Sequence, residues 1–217
     1  MDNINKHIEH TLLKQDALKA DLIKLFDEAI ENKFFGVCVN PCYVALAKDY
    51  LKNSDVKIVT VIGFPLGANT TEVKVYETQK AIDDGADEID MVINVTKVKD
   101  KEKDFIINEI KEVKKACAGH NLKVIIETDL LTKDEIADCC HYCIDGGANF
   151  VKTSTGFVKN GVGAKAEDVE LMFKTVRNAG LEVKASGGIR DRQAAIAMLN
   201  AGAQRLGTSS GVKIIKE

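Results

Sequence analysis

Two lysines occur where the sequence otherwise resembles a buried strand. Lys152 follows two β-formers in NFVKTSTGF (149–157), and Lys184 has the same kind of position in LEVKASGGI (181–189). An ammonium group is costly to bury unless it is paired or neutralised. If the two side chains are neighbours on consecutive strands, burial and their like charges lower their pKa values. One amine can then attack a carbonyl carbon and form a Schiff base.

Asp90 is the obvious acidic partner of these lysines. It lies in EIDMVIN (88–94), another largely apolar run, and it can hold the remaining ammonium group or relay protons. The structural alternative is a buried salt bridge in which Asp90 only stabilises one lysine. Two lysines for one obvious acid, both at predicted strand ends, favour catalysis over that alternative.

Glycine and hydroxyl residues follow the predicted strands that carry the lysines and the last predicted strand. Backbone N–H groups in such loops can approach an anion, and phosphate sites after strands seven and eight recur in barrels. The predicted phosphate-binding residues are Gly156, Gly187, Gly188, Ser209 and Ser210. Arg190 and Arg205 lie nearby, and we expect both to be solvated. Together with the lysines, these loops predict an enzyme that forms an imine with a small phosphorylated carbonyl compound.

The elements that must position these residues alternate along the chain. Segments with helical periodicity separate short β-rich runs, and Thr132 with Glu135 forms a capping box before one of the helices. Eight such units in 217 residues predict an α/β protein, a (β/α)8 TIM barrel with one domain over residues 1–217. An open doubly wound sheet is the alternative, but the glycine-rich fingerprint expected after its first strand is not found. The predicted strands are 7–10, 34–39, 57–63, 88–93, 122–127, 149–153, 181–185 and 204–208.

A weak internal repeat relates the candidate residues to one another. Glycine precedes several predicted strands, as expected at the residue that follows a helix. The same number of residues separates Gly85 from Asp90, Gly147 from Lys152, and Gly202 from Gly207; these three pairs, with Lys184 after Gly180, suggest a common level near the carboxyl ends of the strands. That end of a barrel is where catalytic groups lie.

Composition excludes several classes of protein. Lys and Arg number 30 against 33 Asp and Glu, which gives a net charge of −3 and no basic excess for nucleic acid. Apolar runs reach only about seven residues, too short for a membrane span. The polar N-terminal segment MDNINKHIEH has no signal-peptide core, so we expect a soluble cytoplasmic protein.

The six cysteines are expected to be reduced thiols. CCHYC (139–143) could suggest zinc, but its cysteines share a helical face with Ile136, which favours core packing, and no metal is predicted. Cys38 is left with two interpretations. It is either a core thiol or a residue at the barrel mouth that unsaturated aldehydes could alkylate.

The chain resembles the deoxyribose-phosphate aldolase family almost from end to end. The segments that carry the resemblance are HTLL (10–13), CVNP (38–41), GFPLGAN (63–69), EIDMVIN (88–94), VKTSTGF (151–157), VKASGGIR (183–190) and GTSSG (207–211). The resemblance implies a metal-independent, cofactor-free class I aldolase of deoxyribose phosphate catabolism. Such an enzyme cleaves 2-deoxy-D-ribose 5-phosphate to D-glyceraldehyde 3-phosphate and acetaldehyde.

The resemblance also assigns roles to particular residues. Lys152 is the imine-forming lysine, Lys184 the second lysine that lowers its pKa, and Asp90 the acid–base group. Thr11 and Glu9 match a first-strand position near the substrate hydroxyls. The phosphate-binding loops match those predicted above.

Some questions remain open at this level. Asp129 lies just past the fifth predicted strand, either solvated or close enough to change the field at the lysines. Another Schiff-base barrel, such as a transaldolase or a keto-acid aldolase, is the second hypothesis, and a non-catalytic sugar-phosphate sensor is the third. The expected partners are small sugar phosphates and aldehydes, with no nucleic acid or membrane, and a homodimer through the outer helices.

Overall fold

Eight parallel strands close into a barrel in the computed structural model, which describes residues 3–217. Each strand pairs with the next one along the chain, and the last pairs with the first. The predicted (β/α)8 barrel is therefore confirmed, and every predicted strand end lies within two residues of an observed one. The strands are β1 (Ile8–Leu12), β2 (Gly36–Val39), β3 (Lys57–Ile62), β4 (Glu88–Val92), β5 (Asn121–Ile125), β6 (Phe150–Lys152), β7 (Glu182–Ser186) and β8 (Arg205–Thr208).

Helices follow each strand and cover the outside of the barrel. Within residues 3–217, none of them is long and apolar enough to cross a bilayer. Two helices follow β4, and a short helix follows β8. The helices are α1 (Lys19–Glu31), α2 (Val44–Leu51), α3 (Thr71–Asp83), α4 (Val95–Lys99), α5 (Lys103–Ala116), α6 (Lys133–Asp145), α7 (Ala166–Val176), α8 (Arg192–Asn200) and α9 (Gly211–Lys216).

Helix α6 begins where its capping box predicts. The Thr132 hydroxyl accepts a hydrogen bond from the Glu135 amide at 3.3 Å, and the Thr132 amide donates to the Glu135 carboxylate at 2.8 Å. The predicted apolar face of this helix is buried, its three cysteines included. Burial raises the pKa of the Cys139 thiol to about 12, which keeps it protonated near neutral pH. These thiols pack in the core.

The inside of the barrel has an apolar half and an ionic half. Cys38, Val59 and Val61 pack with Leu13 in a small cluster beside β2 and β3. Charged side chains also lie inside the barrel, and those with no more than 3% exposure are Glu9, Asp90, Lys123, Lys152 and Lys184. A much larger hydrophobic core lies between the strands and the surrounding helices. The barrel interior is thus built to hold charge, while the outer core provides most of the apolar burial.

The strand register places the charged residues in layers. In a TIM barrel the strands tilt, so the level advances by about one residue for each strand along the sheet. With the observed register, Cys38, Asp90, Lys152 and Gly207 then share one layer. Lys184 lies in the layer next to it, with Glu9, Val59 and Lys123. The common level suggested by the glycine repeat therefore holds for Asp90, Lys152 and Gly207, and Lys184 lies one layer lower.

Candidate active site

A cavity of about 330 Å³ opens at the carboxyl ends of the strands, where the loops after β1, β6, β7 and β8 meet. Barrel enzymes place their chemistry on this face. The predicted site residues on the cavity wall are Thr11, Lys152, Gly156, Gly187, Gly188 and Ser209. The sequence therefore predicted residues on two parts of the cavity wall, the lysine and the glycine loops.

Lys152 is the last residue of β6 and lines the cavity. Its side chain is almost completely buried, and its Nζ lies 2.7 Å from Asp90 Oδ2. Three other lysines of residues 3–217 are buried, and none of those three lines the cavity. Lys152 is thus the buried amine that a carbonyl compound in the cavity can reach.

Lys184 is the neighbour of Lys152, as expected, because the register pairs the two residues across β6 and β7. Its Nζ lies 2.6 Å from Asp90 Oδ2 and also contacts Glu9 Oε2. Burial alone would lower the pKa of Lys184, but the Asp90 and Glu9 carboxylates outweigh burial and raise it. The expectation that crowding lowers both lysine pKa values is therefore wrong for Lys184, which stays an ammonium beside Lys152.

Asp90 lies at the centre of the charged residues. Its Oδ2 accepts hydrogen bonds from Lys152 and Lys184, and its Oδ1 lies 3.0 Å from Lys123 Nζ. Burial would raise the pKa of this carboxyl, but the three ammonium groups outweigh burial and hold the pKa well below its ordinary value. Asp90 is therefore an ionised carboxylate that bridges the lysines.

The structure adds a third lysine and two more acids to the predicted trio. Lys123 Nζ lies 2.5 Å from Glu88 Oε2 and 3.5 Å from Glu9 Oε1. Three lysines thus face three carboxylates, so the argument from two lysines and one acid does not hold. What distinguishes Lys152 from a purely structural ion pair is its access to the cavity. Lys123 could have been found from sequence, because LKVIIE places a lysine inside an apolar run just as the other two segments do.

Glu9 and Thr11 have different environments although both lie on β1. Glu9 is completely buried, contacts Lys184 and does not line the cavity, which argues against its expected position near the substrate hydroxyls. Thr11 does line the cavity, with its hydroxyl donating to the Glu9 carbonyl at 2.9 Å. Alternation along the strand explains the difference in depth: the two side chains point the same way but lie two layers apart, with the layer of Asp90 and Lys152 between them.

The glycine loops bring bare backbone to the cavity wall. Gly156, Gly187 and Gly188 have φ values of 82°, 81° and 74°, in the left-handed region that favours glycine. A Cβ on Gly188 would lie 2.4 Å from the Val162 carbonyl oxygen. Gly156 and Gly187 are packed so that a Cβ on either would touch the Cα of the other. Backbone N–H groups in such turns form anion-binding concavities.

The serines and the nearby cations occupy distinct places. Ser209 lines the cavity, whereas Ser210 is the residue before α9, with its amide donating to the Thr208 hydroxyl at 2.9 Å, and lies outside the cavity wall. Arg190 is exposed, as expected, and lines the cavity together with Lys14. Both can face an anionic group at the mouth.

Arg205 and Cys38 lie away from the cavity wall. Arg205 was expected to be solvated, but its guanidinium stacks at 3.7 Å from the Phe35 ring centre and its Nε is buried, so that expectation is wrong. Cys38 is completely buried, and burial raises the pKa of its thiol despite the nearby lysines. Its surroundings favour the core-thiol interpretation.

The chain is similar in sequence to known proteins over most of its length. A family model described as DeoC/LacD family aldolase matches residues 6–217. The chain belongs to this family. A relative in Mannheimia succiniciproducens, named deoxyribose-phosphate aldolase, is 57% identical over 97% of this chain and 93% of its own length.

Solved structures that are similar to this chain share the barrel. One described as QR15, an aldolase, has a TM-score of 0.94 and 41% identity, covering 100% of this chain and 96% of its own. Another, a tetrameric deoxyribose phosphate aldolase from Aeropyrum pernix, has a TM-score of 0.91 and 32% identity, covering 98% and 89%. The family and the fold thus agree over nearly the whole chain.

Proposed function

We propose that this chain is a deoxyribose-phosphate aldolase of the Schiff-base type. It reversibly cleaves 2-deoxy-D-ribose 5-phosphate to D-glyceraldehyde 3-phosphate and acetaldehyde, in the breakdown of deoxyribose phosphate. The observation that carries the proposal is the Lys152 amine, buried beside a second ammonium and open to a cavity lined by glycine loops. The name of its relatives points to the same reaction.

Lys152 is the nucleophile in this proposal. Its neutral amine attacks C1 of the open-chain sugar, and loss of water leaves a protonated imine. Lys184, its neighbour across β6 and β7, stays an ammonium, and the Asp90 carboxylate accepts hydrogen bonds from both lysines. These two groups lie where they can exchange protons with the reacting amine.

The imine then serves as the electron sink for cleavage. The 3-hydroxyl loses its proton, the C2–C3 bond breaks, and its electrons move into the imine to give an enamine. D-Glyceraldehyde 3-phosphate leaves, the enamine takes a proton at C2, and hydrolysis frees acetaldehyde and Lys152. The hydrogen-bonded group of Asp90, Lys184 and Lys152 supplies and receives these protons.

The phosphate occupies the end of the cavity with the glycine loops. Backbone amides of Gly156, Gly187 and Gly188 are the main donors, joined by Ser209; Phe157 offers no cation, and Lys14 and Arg190 on the cavity wall supply positive charge. Ser210, just outside the wall, is kept as a phosphate-binding residue in this proposal. Thr11, on the cavity wall, contacts a substrate hydroxyl. We also keep the homodimer as part of the proposal; the tetramer described for the Aeropyrum enzyme is said of that protein.

Trapping the imine tests the proposal. Wild-type protein is mixed with acetaldehyde and sodium borohydride, digested, and analysed by mass spectrometry. We expect a stable ethyl group on Lys152 and loss of cleavage activity in parallel with its formation. Lys152→Ala should show no adduct at this site and no activity, whereas Lys159→Ala, an exposed lysine of the same loop, should behave as wild type.

The alternatives predict other outcomes. No adduct on any lysine would favour a sugar-phosphate sensor and reject an imine mechanism. An adduct with ketone donors and none with acetaldehyde would favour a transaldolase or a keto-acid aldolase. An adduct on Lys184 alone would show that Lys152 is not the nucleophile, although Lys184 does not line the cavity.

A further inference from the structure

The loop after β5 carries two carboxylates that the reaction above does not use. Glu127 is buried, and its Oε1 accepts a hydrogen bond from the Thr155 amide at 3.1 Å. The Thr155 hydroxyl donates to the other oxygen of Glu127 and accepts from the Phe157 amide at 3.1 Å. The Glu127 carboxylate thus contacts Thr155 directly and is linked to Phe157 through the Thr155 hydroxyl, at the two ends of the short turn that contains Gly156.

Asp129 makes a second connection from the same loop. Its Oδ2 accepts a hydrogen bond from the Gly163 amide at 2.7 Å. Gly163 packs directly on the backbone of Gly187, where an added Cβ would lie 2.4 Å from the Gly187 carbonyl carbon. The Ala164 amide then donates to the carbonyls of Ser186 and Gly187. Asp129, which the sequence left either solvated or electrostatic, thus fixes the far end of the β6–α7 loop.

Backbone conformation marks Glu127 as unusual. Its φ is 60°, in the left-handed region, which costs energy for a residue with a long side chain. Such residues persist where surrounding contacts fix them, and they cluster at functional sites. Burial raises the pKa of the Glu127 carboxyl, although its bonds to Thr155 oppose the rise. A buried carboxylate and a strained backbone both cost free energy. Their presence together indicates that this loop does more than connect β5 to α6.

We propose that Glu127 and Asp129 are positioning residues that set the specificity of this enzyme for a phosphorylated substrate. They hold residues 155–163 against the β7 loop, so that the glycine backbone on the cavity wall is preorganised for an anion. They touch neither the reacting carbon nor Lys152. The inference rests on the proposed function, since it assumes that an anion binds between the glycine loops.

Paired substrates and paired variants test it. The value of kcat/KM is measured with 2-deoxyribose 5-phosphate and with 2-deoxyribose, and their ratio reports use of the phosphate. Asp129→Ala removes the acceptor for Gly163, whereas Asp129→Asn keeps a side-chain oxygen that can accept while removing the charge. We expect the ratio to fall about tenfold or more in Asp129→Ala, because a small displacement of a binding group is costly. It should stay close to wild type in Asp129→Asn.

A second pair covers the other connection. Thr155→Val removes the hydroxyl that links Glu127 to Phe157, and Glu127→Gln alters the same link from the opposite side. Each should lower the substrate ratio, and the double variant should lower it little further than either single change, because both break one connection. Glu170→Gln, on an exposed ion pair of α7, is the matched carboxylate control and should leave the ratio unchanged.

The result that overturns the inference is distinct from failure of the proposed function. Equal loss with both substrates, or the same loss in Asp129→Asn as in Asp129→Ala, would remove the positioning role. Borohydride trapping with acetaldehyde, which has no phosphate, should proceed at the wild-type rate in the two Asp129 variants. If the wild-type protein forms no trapped adduct, the aldolase proposal itself fails. That outcome is independent of the substrate ratio measured in the variants.

Discussion

Charge at the level of single residues decides what this barrel can do. Three ammonium groups meet three carboxylates inside it, and Lys152 alone of the three lysines lines the cavity. Asp90 touches all three lysines. A balanced ionic cluster would be structural if it were sealed, because buried ion pairs contribute little net stability but are costly to break. Because Lys152 opens to the cavity, the ionic cluster is a candidate reaction centre.

Removing Lys184 should separate stability from chemistry. Lys184→Met leaves Asp90 and Glu9 with one buried cation fewer, so we expect the free energy of unfolding to fall by about 3 to 5 kcal/mol. We also expect kcat to fall at least about 100-fold, as for loss of an acid–base group. Urea unfolding and steady-state cleavage measure the two effects.

Its control is an exposed lysine in a similar pairing. Lys174→Met breaks a solvent-exposed bond to Glu170, and we expect a change of about 0.5 kcal/mol or less with no change in kcat. A Lys184→Met protein with wild-type kcat would contradict the assigned role, whatever its stability.

Elements outside the barrel hold the strands that carry the site. Lys74 on α3 is completely buried, pairs with Glu109 on α5 at 2.8 Å, and donates to the Val92 carbonyl at 2.9 Å. It thereby ties two helices to the end of β4, the strand of Asp90. A helix position with charge normally indicates a solvated face, so sequence periodicity could not distinguish Lys74 from its exposed neighbours.

The capping box of α6 provides a test at this scale. Thr132→Ala removes the side-chain acceptor for the Glu135 amide, and we expect about 1 kcal/mol of lost stability. KM and kcat should not change, since this helix end does not line the cavity. Urea unfolding measures the loss. Thr96→Ala, at an exposed position of α4, is the control and should change stability by about 0.5 kcal/mol or less. A similar loss of stability in both variants would show that the cap contributes no more than an exposed threonine does.

Acid stability belongs to the whole molecule. The folded-state pKa of Asp90 is held below its unfolded value, so its stabilisation is present near neutral pH and is lost as the pH falls. An unfolded aspartate has a pKa of about 4, so the loss sets in as the pH approaches that value and continues below it. We expect the free energy of unfolding to decrease more steeply between about pH 5 and 2 in wild type than in Asp90→Asn.

Unfolding in urea at a series of pH values measures this difference. Burial raises the pKa values of the Glu109 and Glu127 carboxyls, which contribute with the opposite sign. Both groups are present in the two proteins, so the comparison cancels them. Parallel curves for wild type and Asp90→Asn would show that Asp90 does not carry the acid dependence.

The sequence by itself determined the barrel, the level of Asp90 and Lys152, and the glycine loops of the mouth. These depend on local features: periodicity, strand ends and the conformational freedom of glycine. Such features can be recognised in short stretches of the sequence. Only the tertiary structure decided the charge balance, because Lys123, Glu9 and Glu88 reach Asp90 or its partners across the barrel interior. It also decided the contacts of Glu127 and Asp129 with the neighbouring loop. Electrostatic interaction depends on distance in space, and a linear sequence does not state which distant charges a closed barrel brings together.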